Sequence, residues 1–516
     1  MRALCATVLP GLLSVVLASC GGGEDPGGPG SSPDTRTIGG SIAGLDGTLI
    51  LQVNGANDLT LTRSGTFTFG AALASGTIYS VTVLTQPAGQ TCNVTGGSGA
   101  ANTNVTAVIV TCAYDVASGL PLLRINTTSG AAITSRDVYV TGEFELLDAL
   151  AVSQASGALE IRGRGNSTWN YPKKPYRMKL GSSTALLGMP ANKHWVLLAN
   201  YLDKTLVRND VAFEFSRRVG MAWTPRSVQV VVELNGEYLG IYMLAEHVRI
   251  GGERVNIPEL KKTDTAADLI TGGYLIEVDY RQGEDYCRHT LRGVWLCFGN
   301  PETLLEPDWA QHKAYIDGYI DAVESALYGP QFADPVMGYA AYLDVDSAVN
   351  FYLVQELLKN PDSNFFASVF LYKPRGGKLT FGPVWDFDLA INNAQWNFSG
   401  GWDPTGWHTR NQDNRVADTN TNWYVRLFED PAFVQKVRAR WAQLRASGAI
   451  DGLLPYIDRR AAWLSQVQAQ NFQRWTILNT VLPPQLSPVT GPYSVHVDSM
   501  RSWLQQRITW MDAQLR

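Results

Sequence analysis

The chain has 516 residues, with 42 basic and 47 acidic side chains and a formal net charge of -5. That balance, with no polybasic run, argues against a nucleic-acid partner. With 45% hydrophobic residues and 15 Trp, the chain can bury a large core, and beyond its first twenty residues no stretch approaches the apolar length that spans a bilayer.

The N-terminus opens with Met1-Arg2, continues apolar to Leu17 and ends in Leu17-Ala18-Ser19-Cys20. This is short for a membrane span and reads as a signal peptide over 1–20. The LASC ending resembles a bacterial lipoprotein box, in which Cys20 is lipidated and becomes the mature N-terminus. The competing reading is an ordinary cleaved signal with a chance Cys. Residues 21–35, rich in Gly, Pro and Ser, form a flexible tether. The expectation is therefore an exported protein, periplasmic or at the cell surface, held to a membrane through Cys20. With Cys5 and Cys20 set aside, four cysteines remain in two local pairs. An oxidising compartment makes Cys92–Cys112 and Cys287–Cys297 the simplest pairing.

Residues 36–114 are rich in Gly, Thr, Ser, Val and Ile, in alternating runs such as LILQVNG and LTLTRSGTFTF. Short strands between Gly and Asn turns predict a small all-β sandwich module, whose plain role is a spacer. A larger domain starts near Leu120. Within it, ALEIRGRGNSTWNYPKKPYRMKL sets Gly163 and Gly165 beside Arg162 and Arg164, with Lys173, Lys174, Arg177 and Lys179 beyond a turn. Backbone amides freed by Gly and flanked by cations suit phosphate, and an edge hairpin made soluble by Lys gives the same letters.

Asp203 is placed to cap a helix carrying Val207, Val211, Phe215 and Val219, with Arg208, Asn209 and Glu214 on its polar side, ending at Gly220. SVQVVVELNG and EYLGIYMLAEHV form a hairpin about Asn235-Gly236 and close on Glu246 and His247. A strand, GGYLIEVDY, precedes the Cys287–Cys297 loop. From Asp308 the character turns helical, with Ile316, Ile320, Val323 and Leu327 on one face. A second helix runs to Lys359 and leads into Asn360-Pro361-Asp362. Two strand-like runs follow, Phe365 to Tyr372 and Leu379 to Trp385, about Gly376-Gly377. That hairpin returns Asp386 and Asp388 towards Asp362 and Asn364. Converging carboxylates and an amide suit a divalent cation and a phosphoryl group. Solvated Asp-rich turns are the plain alternative.

The Trp-rich stretch from 395 to 422, with Trp396, Trp402, Trp407 and His408, reads as a lid over the cleft. The C-terminal helices take Trp441, Trp475, Trp503 and Trp510 as core anchors. A strand-rich half followed by a helix-rich half is an α+β, two-lobed arrangement.

RGRGNSTWNYPKKPYRMKL, LVRNDVA, NGEYLGIYMLAEHV, ELLKNPDSNFF, VWDFDLA and RLFEDPAFVQKVRARW together resemble the CotH family, the spore coat protein H-like atypical protein kinases. The resemblance covers about 120–516 and implies a protein-kinase-like domain that moves phosphate from ATP to Ser and Thr hydroxyls of proteins with Mg²⁺ or Mn²⁺. It makes Asp362 the catalytic Asp and Asp386 the metal-binding Asp, with Asn364 and Asp388 as further metal-side ligands. Lys174 or Lys179 would pair the nucleotide phosphates, alongside Arg162 and Arg164, with Glu246 or Glu214 as partner of that Lys. Little ATP reaches an exported lipoprotein. A related donor, or a catalytically weak surface adhesin built on the same fold, is therefore the rival expectation.

Overall fold

The computed structural model describes residues 34–45, 48–87, 90–114, 119–282, 286–394, 401–411, 422–482 and 487–516. The expected signal peptide, Cys20 and nearly all of the tether lie outside these residues.

The chain divides into two compact units, one drawn from Met1–Ile42, Thr48–Gln86 and Asn93–Thr111, the other chiefly Cys112–Arg516. The described part of the first unit is built of strands. Leu49–Val53 is typical, burying Leu49, Leu51 and Val53 and turning the residues between them outward, as the period of two in a strand requires. Cys92–Cys112 and Cys287–Cys297 are both bonded.

The strand-rich part of the second unit closes into a barrel. Its strands are β1 (Leu122–Thr127), β2 (Val140–Leu147), β3 (Ser153–Gly163), β4 (Tyr176–Leu186), β5 (Met189–Leu198), β6 (Ser227–Leu234) and β7 (Glu237–Glu246). They are hydrogen-bonded in the order β1-β2-β3-β4-β5-β7-β6. The seam that shuts the ring is a parallel pairing of β1 with β6, Leu122 opposite Val231. No local pattern announces that pairing, because its partners are far apart in sequence. Alternation then gives each strand two jobs. Leu123, Ile125, Ile161, Met178, Trp195, Val230 and Leu244 fill the barrel. Leu122, Val196, Leu198, Val231 and Met243 face out and join the main core. The β6–β7 turn falls on Asn235-Gly236 as expected, both with positive φ (52° and 76°), the primed-turn geometry those residues favour.

Helix α1 (Arg208–Val219) crosses between β5 and β6 and buries Val211, Phe215 and Val219. Arg208 and Asn209, expected on its polar side, are buried as well. A second sheet is built from β8 (Tyr274–Val278), β9 (Cys287–His289), β10 (Trp295–Asn300), β11 (Val369–Lys373) and β12 (Thr380–Phe381), in the order β9-β10-β8-β11-β12. Helices α2 (Ala310–Tyr328) and α3 (Val345–Leu358) pack beneath it. Asp344 caps α3 by accepting the Ser347 N–H at 2.9 Å. The remainder is helical: α4 (Trp423–Leu427), α5 (Pro431–Ala446), α6 (Leu453–Ser465), α7 (Gln468–Arg474) and α8 (Tyr493–Leu515). Trp441 and Trp503 are buried anchors, while Trp475 and Trp510 are half-buried. The architecture is mixed α+β, with strands gathered early and helices late.

Candidate active site

Helix α3 stops at Lys359, whose left-handed φ of 49° turns the chain. Asn360 then holds the following loop at both ends. Its carbonyl accepts the Ser363 hydroxyl at 2.7 Å, and its side-chain amide donates to the Asp386 carbonyl at 3.3 Å. Asp362, Ser363 and Asn364 are buried there. The first strand of the expected hairpin starts later than its apolar letters suggest. Phe365 and Ser368 both have positive φ (62° and 55°), and the ladder to β12 begins only beyond them, with Leu371 opposite Phe381.

Asp386 stands just past this hairpin with φ 66° and is half-buried. Its Oδ2 accepts the Ser368 hydroxyl at 3.4 Å. The backbone around it is held by α1. Asn209 Oδ1 accepts the Phe387 N–H at 2.8 Å, and Arg208 Nε donates to the Ala390 and Ile391 carbonyls at 3.0 and 3.2 Å. Arg208 is in turn ion-paired with the fully buried Asp203. Asp388 is buried beside them. Its pKa is pushed well above the ordinary value by burial first and then by Asp386, Asp203 and Asp362, against the pull of Arg208.

Of these groups, Asn209, Ser368, Asp386 and Asp388 line a cleft of about 280 Å³. Asp386, Asp388 and Ser368 line one wall. Arg164 and Arg177 line the barrel side, and Glu277, Asp279 and Arg281 lie at the end of β8. Arg164 sits over the Trp385 ring at 5.5 Å. Burial lowers its pKa and the nearby Asp386 charge opposes that shift. Tyr171 and Tyr201 stack at 5.6 Å on another part of the lining. His247 also lines the cleft, its pKa driven far down by burial and by Arg177, Arg164 and Arg254. Carboxylates and guanidinium groups are thus gathered on the lining of one small space.

A family model, CotH kinase protein, matches residues 161–511. The chain belongs to the CotH kinase family. No curated protein matches it. The family match begins in β3 and ends in α8, so in this CotH kinase chain it takes in both walls of the cleft.

Several site residues expected from sequence stand elsewhere. Among the described residues, Arg162, Lys174, Lys179 and Glu246 do not line the cleft, and neither do Asp362 and Asn364, which are buried in the loop after α3. In β4, Tyr176, Met178 and Leu180 point into the barrel, so Arg177 and Lys179 share the outer face. Arg177 is near the start of the strand and reaches the cleft. Lys179 lies farther along, salt-bridged to Glu160 at 2.7 Å. Lys174 precedes the strand and donates to the Trp169 carbonyl at 2.7 Å. Arg162 lies over Tyr139 at 5.1 Å. Glu246 is buried and holds Arg226 through its backbone N–H (2.9 Å) and its Nε (3.1 Å), while Glu214 pairs within its own helix with Arg217 and Arg218. The Lys–Glu pair expected from the family is therefore not formed by these residues. The one lysine on the cleft lining is Lys173, among the described residues. It is buried, donates to the Ile241 carbonyl at 2.6 Å and Asn471 Oδ1 at 3.0 Å, and burial takes its pKa well below the ordinary value.

The lid expectation fails for residues 401–411, because this stretch is pinned from below. Glu356 and Arg507 form a buried ion pair at 2.6 Å. The Glu356 carboxylate also accepts the His408 and Thr409 N–H groups at 2.9 and 2.8 Å. Arg507 donates to the Pro404 and Gly406 carbonyls, and Lys359 to those of Asp403 and Thr405. Trp407 packs edge-on against Trp510 at 4.8 Å. Trp396, with residues 395–400 and 412–421, lies outside the described residues.

Among the described residues, no group of three or more His, Cys, Asp and Glu side chains is arranged to enclose a metal ion. The carboxylates of Asp386 and Asp388 on the cleft nevertheless fit Mg²⁺, which ordinarily takes one or two carboxylates and completes its shell with phosphate oxygens and water. The sequence marks Asp203 and Asn209 only as a helix cap and a polar helix face, and it gives no role to Asp279 and Arg281. For the last two the available signal was the charged end of an apolar strand, YLIEVDYR.

Proposed function

We propose that this chain is a metal-dependent protein kinase that moves phosphate from ATP, or a related donor, to Ser or Thr hydroxyls of exported or surface proteins. The observation that carries this reading is that Asp386, Asp388, Arg164 and Arg177 line one cleft. Phosphoryl transfer asks little covalent chemistry of a protein; it needs positioning and charge neutralisation. A bound divalent metal would supply positive charge to offset that of the phosphates. Asp386 and Asp388 would hold it, with Asn364 supporting the loop on the acceptor side. Arg164 and Arg177 donate to the phosphate chain and orient it. Asp362 accepts the proton of the attacking hydroxyl, held near Asp386 by the link that Asn360 makes to the Asp386 carbonyl.

The same proposal places the protein outside the cytoplasm, anchored through a lipidated Cys20. Cys20→Ser is expected to free it from membranes or leave it unprocessed. Unchanged attachment and processing would remove the anchor from the account.

Ligand binding tests the site itself. A ligand that binds only the folded state raises the melting temperature. Mg²⁺ with ATP is expected to raise that of the wild type and of Asp362→Asn, and to raise that of Asp386→Asn far less. No rise with any nucleotide or metal would leave the fold serving as a binding surface and not as a kinase.

A further inference from the structure

The turn that follows β8 brings a guanidinium group to the cleft that no sequence motif marked. Asp279 closes the strand by donating its N–H to the Trp295 carbonyl at 3.2 Å. The next residue joins the turn to the loop of Asp362: the Tyr280 N–H donates to the Phe366 carbonyl at 3.3 Å, and the two rings stack with centroids 4.0 Å apart. Arg281 follows, its N–H on Asp279 Oδ1 at 3.0 Å, and the Gln282 N–H returns to the Asp279 carbonyl at 3.2 Å. The turn is therefore closed on itself and fastened to the Asp362 loop.

Arg281 lines the cleft together with Asp386, Asp388 and Ser368. Its contact with Asp279 is loose, 3.5 Å, and its side chain is 23% exposed. A guanidinium carries five N–H donors in a planar fork that matches phosphate oxygens, so among the described residues this long ion pair, with the Tyr280 ring 4.7 Å away, leaves donors for a ligand. Burial by itself would lower the Arg281 pKa. Asp362, Tyr280, Asp279 and Asp386 together raise it instead. Its charge therefore lies in the joint field of the proposed base and the proposed metal ligand, where a phosphoryl group would pass between donor and acceptor.

Resting on the kinase reading above, we propose that Arg281 is a catalytic residue that donates to the transferred phosphoryl group, a cation supplied in cis from the β8 turn. In the step it serves, the acceptor hydroxyl oxygen forms a bond to the γ-phosphorus. The bond from that phosphorus to the β–γ bridging oxygen breaks, and its electron pair leaves with the diphosphate. The hydroxyl proton goes to Asp362. Arg281 neither gains nor loses a proton; it donates to equatorial oxygens whose charge is largest in the transition state, which makes its contribution appear in kcat.

The test uses the full chain, wild type and Arg281→Met, in melting experiments with Mg²⁺-ADP and with Mg²⁺-ADP plus aluminium fluoride, a mimic of the phosphoryl group in transfer. Steady-state transfer to a Ser-rich peptide is measured alongside. The wild type is expected to gain a further rise with aluminium fluoride. Arg281→Met is expected to keep the Mg²⁺-ADP rise and lose the further one. Its kcat should fall by at least about a hundredfold while the nucleotide KM moves less than about threefold. A variant that keeps the fluoride-dependent rise and a kcat within about threefold of wild type overturns the proposal and makes Arg281 only a partner of Asp279. Loss of both rises also overturns it, since the residue would then serve ground-state binding. A wild type that shows neither a nucleotide-dependent rise nor transfer overturns the kinase reading itself, and the role of Arg281 with it.

Discussion

Asn209 accepts the backbone N–H of Phe387 at 2.8 Å, so a residue of α1 fixes the chain on which Asp386 stands. Asp386 itself has a left-handed φ of 66°, a conformation that costs a non-glycine residue energy and persists only where its surroundings hold it. Asn209→Ala would leave the Phe387 N–H buried without its acceptor, a loss of about 1–3 kcal/mol. Urea denaturation is expected to show that loss, and transfer activity to fall further than stability does, because Asp386 would lose its setting.

The buried Glu356–Arg507 pair holds the backbone of the 404–409 stretch. Arg507→Met would strand a carboxylate that is 0% exposed, costing about 3–5 kcal/mol. Limited proteolysis should then show new cleavage between 401 and 411. Unchanged cleavage there would mean that the pair does not pin this stretch.

The cations of β3 and β4 separate by position. Arg164→Met and Arg177→Met are expected to raise the nucleotide KM by about tenfold or more, as loss of a charge-assisted contact does. Lys179→Met, whose ammonium is spent on Glu160, should leave KM and kcat within about twofold of wild type. A large effect at Lys179 would put the phosphate chain outside the cleft described.

His496 gives the fold a pH dependence. Burial first, and then Lys204 and Arg208, lower its pKa from 6.5 to about 4. The ring is 4% exposed, with Nε2 3.1 Å from the Leu478 carbonyl. The unfolded chain therefore binds more protons than the folded one between those two values, and stability rises with pH across that window. On acidification the contribution is lost progressively below about pH 6.5 and is gone below about pH 4, a change on the order of 3 kcal/mol. The melting temperature of His496→Gln should fall less steeply over that range than that of the wild type.

Much of this was legible in the letters. The Asn-Gly hairpin, the helix with Ile316 and Ile320 on one face, and the approach of Asp386 to the Asp362 loop all rest on short-range patterns, and short-range patterns survive in sequence. The barrel seam did not show, because β1 and β6 pair across a long separation. Lys179 misled for a related reason. Alternation places it on the outer face with Arg177, but only the height along the strand decides which of them reaches the cleft. Arg281 stayed hidden because nothing local says that the end of β8 lies against the loop of Asp362; that contact is tertiary, made by Tyr280 on Phe366. Arg208 and Asn209 looked solvated for want of the same knowledge, since their partners lie near residues 387–391.

The most direct measurement is phosphate incorporation into Ser-rich peptides by the full chain with labelled ATP and Mg²⁺ or Mn²⁺, comparing wild type with Asp362→Asn and Asp386→Asn. Each substitution keeps the size of the side chain and removes its charge. Incorporation is expected in the wild type and should drop by at least about a hundredfold in either variant, with folding intact by circular dichroism. Incorporation that survives in either variant, or none in a wild type given nucleotide and metal, would contradict the account.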